Sequence, residues 1–221
     1  MAVYRFDILG SPNVGIYALA TDTYVLVPAG MAEGKREKIR KFLKVEVYPV
    51  DIGESKLNGV LAAGNTHGIA LPYYSTEDEV CLLKRDLHIN VERLSSKKTA
   101  LGNLILLNDK GALVDPAFTP SEVKTLTDIF DVEVHPTTIA RLPYVGSFAA
   151  ATNRGALLHP LVEEEEKVVV AKVLGVSVDV GTVNGGVPYV ASGILANSQG
   201  AIVGSAMTGP EIFIISNLFE L

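Results

Sequence analysis

The apolar positions of this chain recur in one arrangement. The segments LAAGNTHGIALP, LLNDKGALVDP, AATNRGALLHP and LANSQGAIVGS each place an apolar stretch, a short polar turn with glycine and a second apolar stretch, usually ended by proline. Two apolar runs split by a polar, glycine-containing turn read as a pair of strands. The turn glycines are Gly68, Gly111, Gly155 and Gly200, and a more divergent copy, ALATDTYVLVP, has Thr23 at the glycine position and Pro28 where Pro72, Pro116 and Pro160 stand. Successive spacings are 45, 43, 44 and 45 residues, and the stretches from Gly200 to Leu221 and from Met1 to Thr23 together make another 44. The repeat is therefore cyclic. A linear solenoid needs atypical capping units at both ends, whereas here the N-terminal strand supplies what the last unit lacks, as in a ring that protects its sheet edges.

A helical period follows each strand pair. In TPSEVKTLTDIF, Thr119 is placed to cap, Pro120 sits in the first turn, and Val123, Leu126 and Phe130 share one face. STEDEVCLLKRDL has Ser75 or Thr76 as cap, with acidic residues at the positive end of the helix dipole, and Glu163 to Glu166 complement the dipole of the fourth helix in the same way. The fifth, TGPEIFIISNLF, carries Pro210 near its start. Strands with a period of two come next: VEVYPVDI, INVERL, VEVHPTTI, VSVDVGTV and, from the N-terminus, VYRFDIL. The prediction is a mixed α/β fold over residues 1–221, one domain of five repeats of about 44 residues, with helices outside and strands toward an axis. The joins LGSPNVG, IGESKLNG, LSSKKTALGN, TIARLPYVGS and TVNGGVPYVAS should emerge together on one face. They hold Lys56, Asn58, Lys97, Lys98, Asn103, Arg141, Tyr144, Ser147, Asn184 and Tyr189. This mixture of polar, basic and aromatic groups suits a protein-binding surface.

Composition narrows the role. The formal charge of −6 disfavours a broad nucleic-acid footprint. The densest basic run, GKREKIRKFLK, sets Lys35, Arg36, Lys38, Arg40, Lys41 and Lys44 around Ile39, Phe42 and Leu43, the pattern of an amphipathic helix with a solvated face. No apolar run approaches the roughly 18 residues of a membrane span, and no signal peptide is apparent, so a cytoplasmic protein without a membrane partner is expected. The single cysteine, Cys81, rules out an intrachain disulfide, and its neighbours Val80, Leu82 and Leu83 suggest a small buried hydrophobe.

Candidate chemistry is sparse. The counterparts of His67 in the other units are Lys110, Arg154, Gln199 and Asp22, so that position simply takes a polar turn residue. No two histidines have a ligand spacing, AGMAEGKRE lacks the spacing and hydroxyl of a phosphate loop, and GTVNGG does not lead into a helix. Neither a catalytic residue, a metal nor a cofactor is expected.

Taken in order, GNTHG at 64–68, TALGN at 99–103, VEVHPTTIA at 132–140, VGS at 145–147, Asn153 to Pro160 and GTVNGG at 181–186 resemble the archaeal and eukaryotic translation initiation factor 6 family over essentially the whole chain. The resemblance implies the pentein fold, a five-fold α/β propeller. It also implies a non-enzymatic monomer that binds the large ribosomal subunit, takes part in its maturation and keeps the small subunit away. Contact would be mainly with a ribosomal protein, with limited rRNA contact near the sarcin–ricin region. The family's subunit-facing positions carry over onto Asn65, Asn103, Ser147 and Asn184, and by position onto Lys97, Lys98, Arg141 and Tyr144. Thr66 and Gly185 stand where eukaryotic members tend to carry arginine, and the absence of a phosphorylatable tail after Leu221 suggests an archaeal factor. Two other readings are open: a pentein-fold guanidine-modifying enzyme, which needs a late nucleophilic cysteine, and a generic protein-binding scaffold.

Overall fold

The computed structural model describes residues 2–221. The chain starts with strand β1 (Val3–Arg5) and then repeats one plan. The first unit runs through a one-turn helix α1 (Val14–Tyr17), strands β2 (Leu19–Ala20) and β3 (Tyr24–Val27), the long helix α2 (Glu33–Leu43) and strand β4 (Glu46–Pro49). The second has α3 (Asn58–Leu61), β5 (Ala63–Gly64), β6 (Gly68–Pro72), α4 (Glu77–Leu87) and β7 (Asn90–Leu94). The third has α5 (Leu101–Leu104), β8 (Ile105–Leu107), β9 (Ala112–Val114), α6 (Pro120–Phe130) and β10 (Val134–Pro136). The fourth has α7 (Val145–Phe148), β11 (Ala149–Ala151), β12 (Gly155–Leu158), α8 (Glu164–Leu174) and β13 (Ser177–Val180). The last replaces the one-turn α-helix by a 3-10 turn at Val190–Gly193 and continues with β14 (Ile194–Asn197), β15 (Gly200–Val203) and α9 (Gly209–Leu218).

Each unit forms a three-stranded sheet whose middle strand pairs antiparallel with the inner strand and parallel with the outer one. The outer strand of the last sheet is β1, in register Val3 with Ala201, Tyr4 with Ile202 and Arg5 with Val203, so the N-terminal strand closes the ring as the repeat arithmetic requires. Every position of the middle strands is buried, because alternate side chains enter two different cores. In β3, Val25 and Val27 pack with Ile39 and Leu43 of α2, while Tyr24 and Leu26 pack with Val80 and Leu83 of α4 in the next unit. This two-sided burial is why those strands read as continuous apolar runs.

The long helices follow the expected caps. Thr119 with Glu122, and Thr76 with Glu79, form capping boxes, so Thr76 rather than Ser75 ends the coil before α4. The basic run forms α2, with Ile39 and Leu43 buried and Lys35, Lys38, Lys41 and Lys44 in solvent. Cys81 corrects the sequence-based expectation: it is exposed. The core phase of α4 is set by Val80 and Leu83, which turns Cys81 outward.

Side-chain amides fasten one unit to the next. Asn108 donates from Nδ2 to the carbonyls of Thr152 (3.1 Å) and Leu174 (2.9 Å), while its Oδ1 accepts from the amides of Lys110 (2.9 Å) and Gly111 (3.1 Å). Asn65 and Asn197 repeat the arrangement toward Phe130 and Leu43. Thr21 and Thr152 hold the other two turns without an amide to offer, and the Tyr24 hydroxyl and Arg154 reach across instead.

Candidate partner-binding face

The one-turn helices stand in a ring around the axis, each against the next, and glycine permits the approach. A Cβ on Gly59 would lie 1.9 Å from the Gly15 carbonyl oxygen, and one on Gly102 would lie 2.1 Å from that of Gly59. Gly15 and Gly146 make the same contact with their neighbours. The remaining unit carries Ala191 at this position, where the turn is wound as a 3-10 helix. The joins lead straight into this ring, so they gather at one end of the axis.

The joining turns are tight and braced from the long helices. Bridges Ile8–Ser11, Ile52–Ser55, Ile139–Leu142 and Val183–Val187 close turns whose central residues have positive φ, among them Glu54 (59°), Arg141 (61°) and Asn184 (50°). A glutamate at the third position of the next long helix holds such a turn. Glu79 accepts from the amides of Gly53 and Glu54, and Glu166 from those of Ala140 and Arg141 and from the Thr138 hydroxyl. Glu211 accepts from the amides of Gly185 and Gly186 and from the Thr182 hydroxyl, besides capping its own helix through Thr208. Burial alone would raise the carboxyl pKa values of Glu166 and Glu211. The hydrogen bonds outweigh it, holding Glu166 below the usual glutamate range and Glu211 at about 2. In α2 the corresponding residue is Lys35, so the first turn lacks this brace.

Within this ring lies a funnel of about 370 Å³, rimmed by Asn13, Asn103, Ser147 and Ser192 and walled by Ile16, Val60 and Tyr189. Asn103 and Ser147 therefore come together, on α5 and α7. Asn184 bridges the last and first joins through the Pro12 carbonyl and Asn13 Oδ1, both 3.1 Å away. Tyr144, 49% exposed, stands edge-on to Phe148, and Tyr189, 54% exposed, stacks on the same ring. Lys97 is exposed and makes no ion pair among the described residues, and Arg141 is exposed but pairs with Glu163. Lys98 is half-buried, 3.0 Å from Asp115 and over the Phe118 ring, so its charge is used within the fold.

Asn65 is not on this face. It is 3% exposed in a hairpin turn beyond the inner strands, and its amide is fully engaged in fastening adjacent units. Asn58 is likewise buried, donating to the Val50 carbonyl. Sequence reasoning also passed over Leu9, Leu57 and Leu142, apolar side chains of the joins that remain exposed. A readable signal was the repeated Pro-Tyr-Val at 143–145 and 188–190, which sets both aromatics at the start of the inner turns. At the other end of the axis, Thr66, Asp109, Asn153, Asp22 and Ser198 are linked in that order by hydrogen bonds into a polar chain. No group of three or more His, Cys, Asp or Glu side chains suited to a metal ion occurs among the described residues.

The profile of the eIF-6 family matches residues 3–218. The chain belongs to the eIF-6 family. It is 44% identical over 217 residues to translation initiation factor 6 of Pyrococcus horikoshii, covering 96% of each chain. The corresponding factor of Methanocaldococcus jannaschii is 40% identical over 218 residues, covering 96% of this chain and 95% of the relative. Among solved structures, the arginine dihydrolase ArgZ of cyanobacteria superimposes with a TM-score of 0.50 at 16% identity, over 76% of this chain and 29% of that one. This likeness concerns the fold alone, which is the five-bladed pentein architecture expected of an eIF-6 family member.

Proposed function

We propose that this eIF-6 family member is a translation initiation factor that binds the large ribosomal subunit through the joining face and blocks its association with the small subunit. The observation that carries the reading is the pair of exposed tyrosines, Tyr144 and Tyr189, both packed on the buried Phe148 ring, with Tyr189 on the funnel wall and Asn103 and Ser147 at its rim. Exposed aromatics on a rigid support are typical anchors of protein interfaces. Lys97 and Arg141 lie at the rim, where charge steers encounter more than it sets affinity. Asn65 and Lys98 serve by holding the blades and loops that present this surface. Docking is mainly to a ribosomal protein, with limited rRNA contact near the sarcin–ricin region, and the factor acts as a cytoplasmic monomer.

Steric occupation suffices for the effect. A compact chain of this length has a radius of gyration of roughly 17 Å, too thick for two closing subunits to accommodate. The guanidine-modifying chemistry of other pentein proteins needs an activated thiolate beside a base. Here the single cysteine, Cys81, sits on the outer side of α4 with Glu77 as its hydrogen-bonding neighbour, which favours the non-enzymatic reading.

The test is sedimentation of the protein with separated archaeal subunits. Co-migration with large subunits alone, reduced yield of joined ribosomes, and loss of both in Y144A/Y189A are the expected results. Full binding by that double variant would remove the aromatic group from the interface, and binding to neither subunit would overturn the proposal.

A further inference from the structure

An open groove of about 980 Å³ lies between the second joining turn and α4. Its apolar floor includes Pro49, Val50 and Leu82, and its walls carry the carboxylates of Asp51, Glu54, Asp78 and Glu79. Asp51 and Glu79 accept hydrogen bonds from backbone amides, which leaves their charge in place. Glu54 and Asp78 make no ion pair among the described residues, and the one lining cation, Arg85, is already paired with Asp86 at 2.7 Å. Outside the groove but next to the lining Glu54, Tyr74, 40% exposed, packs over Gly53 with Tyr73 edge-on to it at 5.4 Å. Aromatic faces beside carboxylates favour guanidinium and ammonium groups.

We propose that this groove is a docking site for an extended, lysine- or arginine-rich segment of a partner protein. Between Asp78 and Arg85 the helix advances about 10 Å, the length of about three extended residues. A short stretch alternating basic and apolar residues would set its cations on the walls and its apolar side chain on the Leu82 floor. Nucleic acid is repelled by the same carboxylates. The joining face exposes Lys56 and Lys97, which make no ion pair among the described residues, while its Arg141 is paired with Glu163.

Cys81 lines the groove and provides the readout, being exposed and the single cysteine of the chain. A fluorescein-labelled decapeptide of alternating arginine and leucine is titrated while the rate of Cys81 modification by a chromogenic disulfide reagent is followed. Saturable binding with Cys81 protected is expected, with affinity reduced about tenfold in E54K/D78K and kept in E133K/E165K, which makes the same charge change elsewhere. Equal loss in both variants, or an unprotected Cys81, would reduce the effect to diffuse attraction and overturn the site. Protection that rises with protein concentration without peptide would assign the groove to a second copy of the chain, and equal binding of a single-stranded RNA decamer would exclude a basic peptide as its specific occupant.

Discussion

Glu211 offers the sharpest test of how the joining turns are held. It is 6% exposed and accepts from Thr208 N (2.8 Å), Thr208 Oγ1 (2.8 Å), Thr182 Oγ1 (2.9 Å), Gly185 N (3.1 Å) and Gly186 N (3.0 Å). Burial opposes its ionisation, and these donors reverse the balance, taking the pKa from 4.5 to about 2. At about 1.4 kcal/mol per unit, the ionised group contributes about 3 kcal/mol to folding. Between those values the unfolded chain binds the proton and the folded one does not. The contribution is therefore complete above pH 4.5 and is lost as pH falls toward 2. In E211Q the volume stays and the charge goes. Urea unfolding should show the variant less stable by about 3 kcal/mol at pH 7, with the gap narrowing steadily between pH 5 and pH 3. A gap of the same size at both ends of that range would refute the linkage, and no gap at pH 7 would show that the hydrogen bonds do not stabilise the fold.

Asn108→Ala leaves the Thr152 and Leu174 carbonyls and the Lys110 and Gly111 amides without their partner; a loss of about 3 kcal/mol or more is expected in denaturant titrations. Gly59→Ala forces a methyl against the Gly15 carbonyl and should cost about 1–3 kcal/mol; under the proposed function it should also weaken large-subunit binding, read by sedimentation, because the funnel wall shifts. His159 is 8% exposed, and its Nδ1 accepts from the Leu161 amide. Burial lowers its pKa below 6.5, so stability from the neutral ring is complete above that pH and declines as pH falls below it. Thermal melts from pH 7 to pH 5 should show a steeper fall for the native chain than for H159Q.

The ring was legible because it is written in spacing. Gly68, Gly111, Gly155 and Gly200 mark hairpins at nearly constant intervals, and the interval across the termini placed β1 in the last sheet. The one-turn helices were not legible, since VGIY, NGVL, LGNL and VGSF are too short for a helical period and their glycines resemble turn residues. Only the packed ring shows that those glycines are required by a neighbour's carbonyl. Asn65, carried over from the family resemblance as a subunit-facing position, is instead taken up by ending a helix 65 positions away, which nothing local in GNTHG shows. Cys81 shows the limit of composition, because apolar neighbours on a helix do not share its phase.

Each middle strand gives alternate side chains to two cores, so the five cores form a closed cycle in which every one shares a strand with both neighbours. A linear array frays from its ends because a terminal unit has one partner. This cycle has no terminal unit, and opening any blade breaks two cores together. Its weak point is the β1–β15 seam, where a three-residue register replaces a continuous chain. Peeling β1 away would turn the ring into an open arc able to lose blades one at a time, so the lifetime of the whole molecule in its folded form is tied to the few hydrogen bonds of its first strand.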